Sequence, residues 1–132
     1  ASLKVWRDYF INAEIIGADI DKNILFNSER IKTFEVDQTN QESIKNMWNK
    51  INLKNFDLII DDGLHNYEAG VTLFKNSFDR LKKDGIYIIE DVSNKYLEDI
   101  INNLKDFNPE VVILKTKFNI RTDNNLICFR KY

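Results

Sequence analysis

The chain is short of the residues that mark most specialised classes. Its one cysteine, Cys128, excludes an internal disulfide and any cysteine-based zinc cluster. That residue stands in Leu126-Ile127-Cys128-Phe129, where a packed strand position is the expectation rather than a reactive thiol. One proline and four glycines leave neither linkers nor low-complexity tracts. No apolar run approaches the length of a membrane span, and no signal-peptide pattern is visible. Charge is nearly balanced, with 19 basic against 21 acidic residues and a net charge of -2. There is no basic stripe of the kind that binds nucleic acid. The expectation is a cytoplasmic protein that engages neither nucleic acid nor membrane.

What is present is a core-forming composition, 43% hydrophobic in 132 residues, which fits one domain over 1–132. The most informative segment is Phe56-Asp57-Leu58-Ile59-Ile60-Asp61-Asp62-Gly63-Leu64-His65. An apolar run ends there in two adjacent carboxylates, a glycine and the only histidine. The pattern recurs downstream, where Gly85-Ile86-Tyr87-Ile88-Ile89 runs into Glu90-Asp91. Two such runs with an amphipathic helix between them describe a βαβ unit. Its strands lie parallel and adjacent, so both acidic ends open on one edge of the sheet. At an interstrand spacing of about 4.8 Å, carboxylates from both can reach one hard cation.

The remaining segments alternate in the same way. Ser2 to Phe10 reads as a helix capped by Ser2, with Val5, Trp6, Tyr9 and Phe10 on one face. Ala13 to Ile20 is a strand, Lys22 to Arg30 a short helix, and Ile31 to Val36 another strand ending at Asp37. Thr39 and Glu42 have capping-box spacing ahead of a stripe of Ile44, Met47, Trp48 and Ile51. Asn66 caps a helix whose face is Tyr67, Val71, Phe74, Phe78 and Leu81, closed by Asp84-Gly85. Ser93 caps a last helix bearing Leu97, Ile100, Ile101 and Leu104. Val111 to Thr116 and Leu126 to Arg130, joined by a turn around Thr122 to Asn125, form an antiparallel edge pair. The whole predicts an α/β fold, a Rossmann-like doubly wound, mostly parallel sheet with an antiparallel C-terminal strand pair.

In this array the residues resemble class I S-adenosylmethionine-dependent methyltransferases, and within them the metal-dependent sugar O-methyltransferases of the mycinamicin and macrocin type. The matching pieces are Ser2 through Phe10, Ile16-Gly17-Ala18-Asp19-Ile20-Asp21, Asp37-Gln38, Ile60 through His65, and Gly85 through Asp91. The resemblance implies that Asp19 accepts the ribose hydroxyls of S-adenosylmethionine, with Ile20 beside the adenine. Asp37 and Gln38 approach the adenine edge, and Asp61 the methionine part of that cofactor. It further implies Asp62, Glu90 and Asp91 as ligands of Mg²⁺ (or Mn²⁺), and His65 as the general base. Leu64 departs from the small polar residue usual in the family. The implied acceptor is a sugar, glycan or polyhydroxylated small molecule.

That chemistry is coherent on its own terms. A sugar hydroxyl is a poor nucleophile, and its proton must leave as the oxygen attacks the sulfonium methyl. A divalent ion acidifies the hydroxyls it holds, an imidazole takes the proton near neutral pH, and positioning supplies much of the rate. Two other readings fit less well, and the second fails on position. The Asp19-Ile20-Asp21 triplet of a glycosyltransferase leaves the later acids unexplained, and a response-regulator receiver carries its acid pair after its first strand. A methyltransferase-like binding or assembly module without catalysis is the reading from a different class.

The family's usual first strand and glycine-rich loop have no counterpart here. Ser2-Leu3 already reads as the helix after that loop, while Gly17, Gly63, Gly70 and Gly85 lie elsewhere. The expectation is a gap of about 9.6 Å, two strand spacings, between the Ala13–Ile20 and Phe56–Asp61 strands. An upstream segment or a strand from a second copy in a homo-oligomer would complete the sheet. Without it, these residues are expected to bind cofactor weakly or not at all.

Overall fold

Alternating β-branched runs and amphipathic stretches give the element order the sequence predicts. The computed structural model describes residues 2–113 and 124–132. Its helices are α1 (Ser2–Tyr9), α2 (Gln41–Ile51), α3 (Tyr67–Ser77) and α4 (Asn94–Asn103). The strands are β1 (Ile15–Asp19), β2 (Ile31–Glu35), β3 (Phe56–Asp61), β4 (Leu81–Val92), β5 (Glu110–Ile113) and β6 (Asn125–Arg130). Expected strand residues Leu114 to Thr116 and the first two residues of the expected turn, Thr122 and Asp123, lie outside the described residues.

Strand pairing divides these elements into two sheets. One holds β1 and β2, parallel, and the other runs β3-β4-β6-β5. In the second, β3 and β4 are parallel, whereas β6 is antiparallel to both β4 and β5. The βαβ unit and the antiparallel edge pair thus form as the sequence predicts. The β1 and β3 strands, expected to flank a gap, belong to different sheets.

The main core lies under α3 and α4, where Phe74, Tyr87, Phe129, Leu104 and Ile127 are fully buried. Phe74 is its centre, touching the rings of Phe78, Tyr87, Phe107 and Phe129 at centroid distances of 4.3–5.0 Å. A second cluster, Val36, Ile44, Met47, Trp48 and Ile51, sits under α2. It packs against Ile16 and Phe34 from one sheet and Phe56 and Ile59 from the other. The apolar face of α2 therefore spans the division between the sheets.

Local details depart from the sequence reading at four points. Ser2 is already helical, and the Val5–Tyr9 face of α1 is turned outward, with Val5 66% and Tyr9 75% exposed. The Lys22–Arg30 stretch forms only a 3₁₀ turn at Lys22–Ile24. At α2 the cap is Asn40, whose Oδ1 accepts the Glu42 and Ser43 amides, because the Thr39 hydroxyl donates to Asp37 instead. Helix α3 stops at Ser77, and Leu81 belongs to β4, opposite Phe56. A 3₁₀ turn at Phe78–Arg80 joins helix to strand, so the buried Leu81 extends the helical spacing without being helical, and Asp84-Gly85 lies inside β4 instead of closing the helix. Caps Asn66 and Ser93 form as expected.

Candidate active site

The edge where β3 and β4 end gathers the acids singled out in the sequence. Parallel pairing of Ile60 with Ile88 and of Asp61 with Ile89 brings the two acidic tails side by side. Asp62, His65 and Asp91 each offer one ligand atom, and the three atoms lie within 4.8 Å of one another. His65 Nε2 is 3.3 Å from Asp62 Oδ1. Both His65 and Asp91 have left-handed backbone, with φ of 53° and 49°. Such conformations are costly for non-glycine residues and persist where the surroundings over-determine them.

Glu90 stands beside this trio rather than in it. Burial raises its pKa first, and the charges of Asp62 and Asp91 raise it further, opposed by His65. Like charges crowded in this way favour a cation among them. Glu90 shares a small cleft with Asp61, His65, Asn66 and Tyr96. Two carboxylates, an imidazole and a nearby third carboxylate make a donor set that fits a hard divalent ion.

Asp61 lies deeper in that cleft, beside Gly70 of α3. It is 5% exposed, and one of its oxygens, Oδ2, is buried with no hydrogen-bond partner. Burial raises its pKa, opposed by hydrogen bonds from the Gln38 side chain and the Gly63 amide. Gln38 spends both ends of its carboxamide inside the protein: Nε2 donates to Asp61 Oδ1 at 3.2 Å and Oε1 accepts the Leu64 amide at 2.9 Å. Leu64 itself is exposed, and its contribution is that backbone N–H.

The remaining expected residues stand at the ends of β1 and β2, in the two-stranded sheet. Asp19 ends β1 and its Oδ1 accepts the Asp21 amide at 2.9 Å. Ile20 beside it is 65% exposed, an apolar surface next to an acceptor. Asp37 follows β2, and the Thr39 hydroxyl and amide, both donating to it, hold its pKa below the ordinary carboxylate value.

One residue here carried no signal in the sequence. Asn125 is 4% exposed and its Nδ2 donates to Val92 O at 2.8 Å and to Asn94 Oδ1 at 2.7 Å. It ties down the turn just beyond Glu90 and Asp91. Only the antiparallel register, which sets Asn125 opposite Val92, puts it there.

The chain is also similar to known proteins. The chain is 33% identical over 95 residues to the 8-demethyl-8-alpha-L-rhamnosyl tetracenomycin-C 2'-O-methyltransferase of Streptomyces olivaceus, a match covering 72% of this chain and 25% of the relative. It is 32% identical over 95 residues to the mycinamicin VI 2''-O-methyltransferase of Micromonospora griseorubida, covering 72% of this chain and 23% of that one.

The chain is a homologue of the sugar O-methyltransferases of the mycinamicin and tetracenomycin type.

It spans about a quarter of the length of these relatives. Among solved structures, the MycE methyltransferase of the mycinamycin biosynthetic pathway, in complex with Mg and SAH, superposes with a TM-score of 0.72. That match is 24% identical and covers 98% of this chain and 40% of MycE, which establishes a methyltransferase fold. No protein-family model matches the chain. Among the described residues no helix is long and apolar enough to cross a membrane.

Proposed function

We propose that this chain forms the cofactor- and metal-binding part of an S-adenosylmethionine-dependent O-methyltransferase acting on a hydroxyl of a sugar or polyhydroxylated small molecule. The observation that carries the reading is the convergence of Asp62, His65 and Asp91 at the shared end of β3 and β4. Asp62 and Asp91, with Glu90 alongside, would hold Mg²⁺ or Mn²⁺. A divalent ion there supplies orientation and acidity to neighbouring acceptor hydroxyls.

The chain's own residues do the rest. His65 stands at the rim with Asp62 orienting its ring, placed to accept the hydroxyl proton as the oxygen attacks the methyl group. Asp19 offers acceptor-only oxygens to the ribose hydroxyls, and exposed Ile20 offers an apolar surface to the adenine. Asp37 and Gln38 flank that position. Asp61 Oδ2, buried and unpartnered, suits an ammonium donor such as the methionine end of the cofactor.

The same proposal treats residues 1–132 as one methyltransferase-like unit in the cytoplasm. Among the described residues the β1 and β3 strands each pair on one side only, and a further strand, from an upstream segment or a second copy, would join the two sheets. Cofactor binding by the chain alone is accordingly weak, and tight calorimetric binding would refute that part.

Titration with Mn²⁺ followed by electron paramagnetic resonance tests the metal site. One ion is expected to bind, with affinity falling at least about tenfold in Asp62→Asn and in Asp91→Asn. Methyl transfer to a panel of glycosides, with labelled S-adenosylmethionine at concentrations that offset weak binding, tests the reaction, with loss expected on chelation and in His65→Ala. Undiminished Mn²⁺ binding by both Asn variants, or transfer that survives chelation and His65→Ala alike, would overturn the reading.

A further inference from the structure

We infer that Gln38 is a positioning residue, which clamps the turn after β3 in the shape that brings Asp62 and His65 to face Asp91. The inference rests on the metal-site reading above and extends it to a residue that touches none of the three. Gln38 lies beyond β2, in the two-stranded sheet, whereas the turn it grips leaves β3, in the four-stranded one. Its carboxamide reaches across the division with donor and acceptor both used, Nε2 to Asp61 Oδ1 and Oε1 from the Leu64 amide.

Those two bonds straddle Asp62 and Gly63 and end one residue before His65, the left-handed position at φ 53°. A residue held in that region needs fixing from outside, and the carboxamide supplies it on the only turn contributing two members of the trio. Gly63 is shaped to the same contact, since a Cβ there would collide with Gln38 Oε1. Because that oxygen is already committed to Leu64, the amide has little freedom to retreat. Polarity is specific as well. Asp61 accepts only, so its partner must donate, and the Leu64 amide donates only, so its partner must accept. A carboxamide meets both demands at once.

Three variants test this: Gln38→Leu, which keeps bulk without hydrogen bonds, Gly63→Ala, and the double Gln38→Glu with Asp61→Asn. In the double variant, the residue 61 amide donates to the residue 38 carboxylate, whose other oxygen still accepts from Leu64. Two readouts are taken, Leu64 amide exchange with the His65 Cα shift by NMR, and Mn²⁺ affinity. Gln38→Leu and Gly63→Ala are expected to speed Leu64 exchange about tenfold, to move the His65 shift out of the left-handed range, and to weaken Mn²⁺ about tenfold. The double variant should hold both readouts within about threefold of the parent, which a general loss of packing at residue 38 would not allow.

Unchanged Leu64 exchange in Gln38→Leu, or faster exchange with unaltered Mn²⁺ affinity, overturns the inference. So does a double variant as impaired as Gln38→Leu. If the parent chain binds no Mn²⁺, the metal-site reading fails by itself, and the NMR readout still decides whether Gln38 shapes the turn. Should Gln38→Leu not fold, Gly63→Ala and the double variant carry the decision.

Discussion

The two sheets are held by different means. The four-stranded sheet rests on a dense aromatic and aliphatic core centred on Phe74. The two-stranded sheet carries α1, a helix with no buried residue. What fastens α1 is partly polar: the Arg30 guanidinium donates to the carbonyls of Arg7, Phe10 and Ala13 at 3.0–3.1 Å. Leu3 also leans on Gly17, where a side chain would have no room. The difference bears on the site. Residues proposed for metal and proton transfer stand on the well-packed body, whereas Asp19, Ile20 and Asp37 stand on the lighter one. Rigid placement goes to the groups whose mutual distances set the chemistry.

The largest effect expected from this contrast is that of Phe74→Ala, which removes the centre of the four-stranded sheet's core. It should cost about 3–5 kcal/mol in chemical denaturation. A cost near 1 kcal/mol would mean that the two regions are not so unequal. Next comes Arg30→Met, expected to cost about 1.5–3 kcal/mol for the lost charged hydrogen bonds. Hydrogen exchange should show α1 opening while β3, β4 and β6 keep their protection. Equal loss of protection in both sheets would show that they unfold as one.

The smallest effect belongs to Tyr87→Phe. Tyr87 is fully buried, and its hydroxyl has no hydrogen-bond partner. Removing the hydroxyl should raise stability by up to about 1 kcal/mol, since a buried unsatisfied group is a cost. Burial, and secondarily the charge of Asp61, raise the Tyr87 pKa well above its ordinary value. Stability is therefore unaffected by its titration below about pH 10 and falls above it, where the unfolded chain releases a proton that the folded chain keeps. Stability should fall by up to about 1.4 kcal/mol per pH unit in that range from this group, and Tyr87→Phe should remove that slope. Denaturation curves between neutrality and pH 11 would decide it.

Much of this arrangement was legible in the residues. Asn66 and Ser93 cap as read, because a cap is a contact between neighbours in sequence. The stripe Ile44, Met47, Trp48 and Ile51 is buried as read, because one helix face shares one environment. Thr39 misled because its hydroxyl had a better partner in Asp37, and local spacing does not rank competing acceptors. Val5 and Tyr9 misled because periodicity identifies an apolar face without saying what lies against it. Of the acids, Asp62 and Asp91 converge with His65, while Asp61 lies deeper, beside α3, and Glu90 stands aside.

By itself the sequence determined the kinds and order of the elements, and the parallel neighbourhood of β3 and β4 through their connecting helix. Hydrophobic period and caps are local constraints, and the handedness of a strand–helix–strand crossover narrows the topologies left to choose from. Only the tertiary structure decided the division into two sheets and the left-handed settings of His65 and Asp91. It likewise decided the partners of Gln38 and Asn125. Each depends on register and packing between segments far apart in the chain, where a one-residue shift turns a side chain to the opposite face.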